Sequence, residues 1–89
     1  MGVCGAQAQW SPASLRRESL LLRDRLAAYP HDAEAWRALG LAEVGAGRFE
    51  NAIEAWQSWR SDEPSRSDEA LALMQAARTM VEALRDARD

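Results

Sequence analysis

The side chains that could carry out chemistry are few in this sequence, and they are scattered along it. The chain has a single cysteine, Cys4, and a single histidine, His31. Neither has a second histidine or cysteine at the spacing of metal ligands, so no metal site is predicted. An enzyme needs at least a positioned nucleophile, an acid–base pair or a metal ion. The sequence therefore predicts a protein that is not an enzyme and that uses no cofactor.

Composition narrows the choice of partner. The chain has 89 residues and a formal net charge of −3, which predicts one small domain and argues against nucleic acid as a ligand. Its basic side chains, apart from His31, are all arginine. This usage is typical of a GC-rich bacterial genome, and the alternative is selection for bidentate binding of carboxylates. A protein or peptide partner fits this composition better than nucleic acid does.

No segment of the sequence predicts contact with a membrane. No apolar run approaches the roughly 18–20 residues that span a bilayer, and the hydrophobic segment of a signal peptide is missing. A lone cysteine cannot form a disulfide within the chain, so no oxidising compartment is implied. We therefore expect a cytoplasmic protein without a membrane partner.

The middle of the sequence predicts a pair of helices. The first, over residues 33–46, places Trp36, Leu39 and Gly40 on one face, because they recur at spacings of three and four residues. A glycine inside a helix costs about 1 kcal/mol relative to alanine. Gly40 therefore predicts the close approach of a second helix. The Gly45–Gly47 segment ends the first helix, since glycine adopts the left-handed stop conformation without strain.

The second helix of the pair is predicted over residues 49–62. Its apolar face is formed by Phe49, Ala52, Ile53, Trp56 and Trp59. Ala52 is small enough to let the first helix come near, and we expect it to lie opposite Gly40. Pro64 ends the second helix, because proline lacks the N–H group and restricts the residue before it.

This pair of helices, over about residues 33–66, resembles one unit of the tetratricopeptide repeat family, whose period is about 34 residues. The residues that match the family motif are Trp36, Leu39, Gly40, Ala52, Trp56 and Pro64. The sequence departs from the motif at Glu43, where a large apolar residue is usual, and at Trp59, where a small residue is usual. The resemblance implies an all-α fold in which antiparallel helix–turn–helix repeats form a short right-handed solenoid fragment of four helices.

A leading helix is predicted over residues 12–28. Ser11 is a good N-cap, and Pro12 suits the first helical position. Tyr29 and Pro30 follow, and Pro30 lies one repeat length before Pro64. The leading helix therefore resembles the second helix of a preceding repeat, and the side chains expected to pack on the next pair are Leu15, Leu22, Leu26 and Tyr29.

Two leucines of the leading helix, Leu20 and Leu21, do not fit on that packed side. They are either simply exposed or covered by the N-terminal tail, or they form a face for self-association. The tail itself, residues 1–10, is expected to be disordered or loosely packed. Residues 11–89 are expected to form a single helical domain.

A trailing helix is predicted over residues 67–86, with two alternative registers. In the favoured register its core face is formed by Ala70, Leu73, Met74, Ala77, Val81 and Leu84. In the other register, shifted by one residue, Leu71 enters the core instead. A polar last helix is typical of the end of a repeat array.

The resemblance also implies a function, because tetratricopeptide repeats bind peptides or helices along a concave groove. The positions that line such a groove here are Glu34, Arg37, Leu41, Val44, Asp68, Leu71, Gln75 and Arg78. Two of them, Arg37 and Arg78, could bind a carboxylate bidentately, and the leucines could bind an apolar side chain. The lysine and asparagine set that the family uses for C-terminal carboxylates is missing, so that specificity is not implied.

Two alternatives to this adaptor function stay open. The chain could be a structural protein that forms a homodimer through Leu20 and Leu21, or it could be a fragment of a longer repeat protein such as a cytochrome c assembly factor. Trp59 is compatible with the core or with an interface, where tryptophan is common. The residues predicted to form the structural core are Trp36, Leu39, Gly40, Ala52, Trp56, Leu73 and Met74.

Overall fold

A computed structural model of the chain describes residues 12–88, and the predictions for the tail, Cys4 and Ser11 lie outside this range. The described residues form an all-α fold without strands. The elements are α1 (Pro12–Ala28), α2 (Ala33–Gly45), α3 (Phe49–Asp62), a 3₁₀ turn (Pro64–Arg66) and α4 (Ser67–Arg88). The bounds of α1 and α3 are the predicted ones, α2 is one residue shorter than predicted, and α4 continues two residues further.

Local signals in the sequence set most of these bounds. The Asp32 carboxylate accepts a hydrogen bond from the Ala35 amide at 3.1 Å and so caps α2. Gly47 follows the end of α2 with a φ of 82°, which a residue with a Cβ adopts only under strain. Pro64 opens the 3₁₀ turn that leads into α4. These devices act within a few residues of the chain, so the sequence pattern alone locates them.

Each helix packs on the next one along the chain. Short connections between helices in contact favour antiparallel neighbours. Side-chain contacts agree: Leu15, near the start of α1, lies beside Gly45 at the end of α2, and Arg60, near the end of α3, donates to Ser67 at the start of α4. It follows that α2 and α4 run in the same direction.

The buried side chains form two clusters. The larger one lies between α3 and α4 and contains Ala52, Trp56, Trp59, Ala70, Met74 and Ala77. The smaller one joins α1, α2 and α3 and contains Leu26, Ala35, Leu39 and Ala55. Trp36 is half-buried and packs against both clusters. Its indole N–H donates to the Pro30 carbonyl at 2.9 Å, so it joins the clusters to the α1–α2 turn.

The Trp56 side chain explains the glycine inside α2. A Cβ at position 40 would collide with the indole ring of Trp56, and the indole N–H donates to the Arg37 carbonyl at 3.3 Å. Close approach at Gly40 was predicted, but the group that approaches is a tryptophan ring and not the small Ala52. Ala52 is fully buried nearby in the larger cluster.

Several apolar side chains are more exposed than the sequence predicted. Tyr29, which was expected to pack on the following helices, is 60 % exposed, and the Arg25 guanidinium lies 5.3 Å from the centre of its ring. Leu84 is 48 % exposed, since the end of α4 extends past α3, and Leu73 is half-buried. The register of α4 is nevertheless the favoured one, because Ala70, Met74 and Ala77 are buried while Leu71 is exposed.

None of the helices within residues 12–88 combines the length and the apolarity that crossing a membrane requires.

Candidate protein-interaction surfaces

Arg37 occupies the start of the face that α2 and α4 present together. Its guanidinium lies 3.1 Å from the Glu34 carboxylate, one turn earlier on α2, and 3.7 Å from the Glu69 carboxylate on α4. The second contact brings the first turns of α2 and α4 side by side. Arg37 therefore has carboxylate partners within the chain, and a ligand carboxylate would have to compete with them.

The same guanidinium covers Trp59. Its carbon lies 5.8 Å from the centre of the Trp59 ring, and that of Arg66 lies 5.3 Å away, both within the range of cation–π attraction. The indole N–H donates to the Glu63 carboxylate at 2.9 Å. Trp59 is 0 % exposed. Trp59 therefore lies in the core, beneath two arginine side chains. The sequence alone was compatible with either the core or an interface for this residue.

Beyond Arg37, the remaining groove positions present apolar and polar side chains to solvent. Leu41 on α2 is 46 % exposed and Leu71 on α4 is 40 % exposed. Gln75 and Arg78 are exposed on α4, and Val44 is half-buried near the end of α2. Leu41 and Val44 follow Arg37 along α2, and Leu71, Gln75 and Arg78 follow Glu69 along α4, which runs in the same direction. We call this set (Leu41, Val44, Leu71, Gln75 and Arg78) the groove face.

A second apolar surface lies on α1. Leu20 is 64 % exposed and Leu21 is 58 % exposed. The side of α1 that packs on α2 carries Leu22 and Leu26, together with Leu15 against Gly45. The two exposed leucines point away from that side, and among the described residues no helix covers them. We call Leu20 and Leu21 the leucine pair.

A buried carboxylate joins α1 to the α2–α3 turn. Glu43 is 0 % exposed, and its two oxygens lie 2.7 Å from Arg48 and 3.3 Å from Arg23. The polar side chains of the buried Ser19 and the half-buried Asn51 also lower the pKa of this carboxyl. Burial alone would raise the pKa of Glu43. The hydrogen bonds from its neighbours outweigh burial, so the pKa of the carboxyl lies below its usual value.

The departure of Glu43 from the repeat motif thus has a structural explanation. A large apolar residue is replaced by a carboxylate whose partners come from the helix before it and from the turn after it. The sequence showed that Glu43 was unusual. It did not indicate Ser19 or Arg23 as partners, because both residues lie twenty or more positions before Glu43 along the chain.

Two further titratable groups, His31 and Asp32, lie in the connection between α1 and α2. His31 is largely exposed, and its Nδ1 lies 3.1 Å from the Asp62 carboxylate. Hydrogen bonds from Arg25 and from the Ala35 amide hold the pKa of Asp32 below its usual value. Within residues 12–88 no three His, Cys, Asp or Glu side chains are grouped so that they could hold a metal ion.

We compared the chain with protein-family models, with curated proteins and with solved structures, and none of the three comparisons finds a match.

Proposed function

We propose that this protein is a non-enzymatic interaction module of the tetratricopeptide type, which binds a peptide or a helix of another protein along the groove face. The observation that carries the proposal is the exposure of Leu41 on α2 and of Leu71 on α4. They stand on two helices that run in the same direction and that touch through Arg37 and Glu69. The packing of each helix on the next one supports the solenoid arrangement that the proposal needs.

The groove face suggests what its ligand looks like. Leu41 and Leu71 would bind apolar side chains of an extended peptide or of a helix. Arg78 is exposed and is available to a carboxylate, whereas Arg37 is engaged with Glu34 and Glu69. We therefore expect apolar contacts to dominate. A face formed by two helices buries little area, so the affinity should be in the micromolar range.

Selection of ligands from a displayed library of random peptides tests the proposal. The purified protein is the bait, and the enriched peptides are then titrated against the Leu41→Asp, Leu71→Asp variant and the Leu20→Asp, Leu21→Asp control. We expect peptides that bind the wild type and the control, and that lose at least tenfold in affinity for the groove variant. Peptides that bind all three proteins equally, or no enrichment, would refute the groove.

Self-association through the leucine pair is the second candidate function. It is favoured by the exposure of Leu20 and Leu21, since large apolar side chains that stand together at a surface often mark an interface. Under both candidates we keep the cytoplasm as the proposed location, since the single cysteine implies no oxidising compartment. Sedimentation velocity separates the candidates, because a groove-binding adaptor can be a monomer and an assembly protein cannot.

A further inference from the structure

An open cavity lies beside the start of α3, where the last turns of α4 pass the α2–α3 turn. Its volume is about 390 Å³, within the range of about 300–1,000 Å³ that is typical of ligand pockets. Phe49 lines it from α3, and Val81 and Leu84 line it from α4. Phe49 also packs on the larger cluster, so one wall of the cavity is fixed to the core. We call this space the α3–α4 cavity.

The cavity exists because α4 is longer than its neighbour. Helix α4 has 22 residues and α3 has 14, and the 3₁₀ turn joins the end of α3 to the start of α4. Since the two helices are antiparallel, the last turns of α4 reach the start of α3 and continue past it. At that point Leu84, which is 48 % exposed, lines an open space that a longer α3 would fill.

The cavity continues the groove face. On α2 the groove face ends at Val44, and Gly47, three residues later, lines the cavity. On α4 the groove face ends at Arg78. Arg85, two turns later and on the same side of the helix, lines the cavity. A ligand that lies along the groove face toward the ends of α2 and α4 therefore arrives at the cavity.

The charged residues of the cavity do not select a charged ligand. Arg85 and Glu50 both line it, and their charges are opposite. Arg48 also lines it, but its guanidinium lies 2.7 Å from the buried Glu43 carboxylate. The apolar walls remain as the basis for selection, because an apolar group gains free energy when it leaves water for such a site.

We infer that the α3–α4 cavity binds one large apolar side chain of the peptide that occupies the groove face. The inference rests on the proposed function and deepens it, since it adds a third apolar contact to those at Leu41 and Leu71. We call the ligand residue that enters the cavity the anchor. The ligand is thus a segment with a large apolar residue at the end that lies over the last turns of α4.

The position of the anchor in the ligand follows from the length of α4. Leu71 and Leu84 are 13 residues apart, which is about 20 Å at 1.5 Å per residue. An extended peptide covers this distance with about six residues, at about 3.3 Å per residue. We therefore expect an extended ligand to carry its anchor about six positions from the residue that contacts Leu71. A helical ligand would need a spacing of about 13 residues.

Titration of the groove-binding peptides against two matched variants tests the inference. Leu84→Ala removes most of one wall of the cavity. Met80→Ala is the control, because Met80 is exposed to a similar extent, 45 % against 48 %, lies one turn earlier on α4 and does not line the cavity. Both residues are at the surface and alanine favours helix, so both variants should keep the circular dichroism of the wild type.

We expect Leu84→Ala to weaken binding of the peptides by about five- to tenfold, because the anchor loses apolar contact. Met80→Ala should leave the affinity unchanged. Replacement of the anchor by alanine should weaken binding to the wild type by a similar factor, and binding to Leu84→Ala by much less. Such non-additivity in a double-mutant cycle is the mark of two groups in contact.

The outcomes separate this inference from the proposed function. Peptides that require Leu41 and Leu71 but bind Leu84→Ala as tightly as the wild type leave the groove face standing and refute the cavity as a subsite. Equal losses for Leu84→Ala and Met80→Ala, or additive effects in the cycle, refute it as well. If no peptide depends on Leu41 and Leu71, the proposed function fails and its third contact fails with it. If Leu84→Ala loses helicity, Val81→Ala replaces it in the same cycle.

Discussion

Replacement of Gly40 by alanine should destabilise the protein, although glycine to alanine inside a helix normally stabilises. The helix propensity alone favours alanine by about 1 kcal/mol. The added methyl group would occupy the place of the Trp56 indole. Trp56 is 2 % exposed, so its ring cannot move into solvent without opening the larger cluster.

The magnitude follows from three contributions. Forcing an extra methyl group into a packed site costs about 1–3 kcal/mol. Displacement of the ring also breaks the hydrogen bond from the Trp56 indole to the Arg37 carbonyl, which contributes about 1 kcal/mol. After the propensity gain is subtracted, we expect a net loss of about 1–3 kcal/mol. For a domain of this size the melting temperature should fall by roughly 5–20 °C.

Urea denaturation followed by far-ultraviolet circular dichroism measures this loss. The control is the same substitution in a Trp56→Phe background, where the ring that carries the indole N–H is gone. There, Gly40→Ala should cost much less than in the wild type, and it could restore part of the stability that Trp56→Phe removes. If Gly40→Ala instead stabilises the otherwise wild-type protein, the packing of the Trp56 ring against Gly40 of α2 is refuted.

Three further predictions concern the same helix pair. Trp56→Ala should cost about 3–5 kcal/mol, because it empties the centre of the larger cluster; a loss below about 1 kcal/mol in urea denaturation would contradict its core position. Glu43 has a lowered pKa in the folded state, so its contribution is complete above the ordinary glutamate value near 4.5 and is lost as the pH falls through the folded pKa. The unfolding free energies of the wild type and Glu43→Gln should therefore converge in acid, and a constant difference at all pH values would refute this. Gly47→Ala should cost about 1 kcal/mol through its positive φ alone, since no atom lies near the added methyl group; an unchanged melting temperature would show that the turn relaxes.

The candidate surfaces were only partly readable from the sequence. The 34-residue phase placed Leu41 and Leu71 at groove positions, and both are exposed. The same phase placed Arg37 there as a residue that could bind a carboxylate of the ligand. It could not indicate that the Arg37 guanidinium already contacts the Glu69 carboxylate and the Trp59 ring. Helical periodicity gives the side of a helix that a residue faces, whereas the partners of a long side chain depend on which helices lie next to it.

The apolar arc of α4 shows a related limit. The sequence identified Ala70, Met74 and Ala77 as the buried side, and they are buried. It also placed Leu84 on that side, yet this residue is nearly half exposed. Whether an apolar position is covered depends on how far the neighbouring helix extends. Helix α3 has 14 residues and α4 has 22, so α3 is eight residues shorter.

The sequence by itself determined where the helices begin and end, because caps, stop glycines and prolines act on backbone groups within a few residues. Asp32, Gly47 and Pro64 are such signals. Only the tertiary structure decided that a tryptophan ring fills the space at Gly40, and that Glu43 is a satisfied buried carboxylate. Those outcomes depend on contacts between side chains that are distant along the chain, whose positions are set when the helices pack and not before.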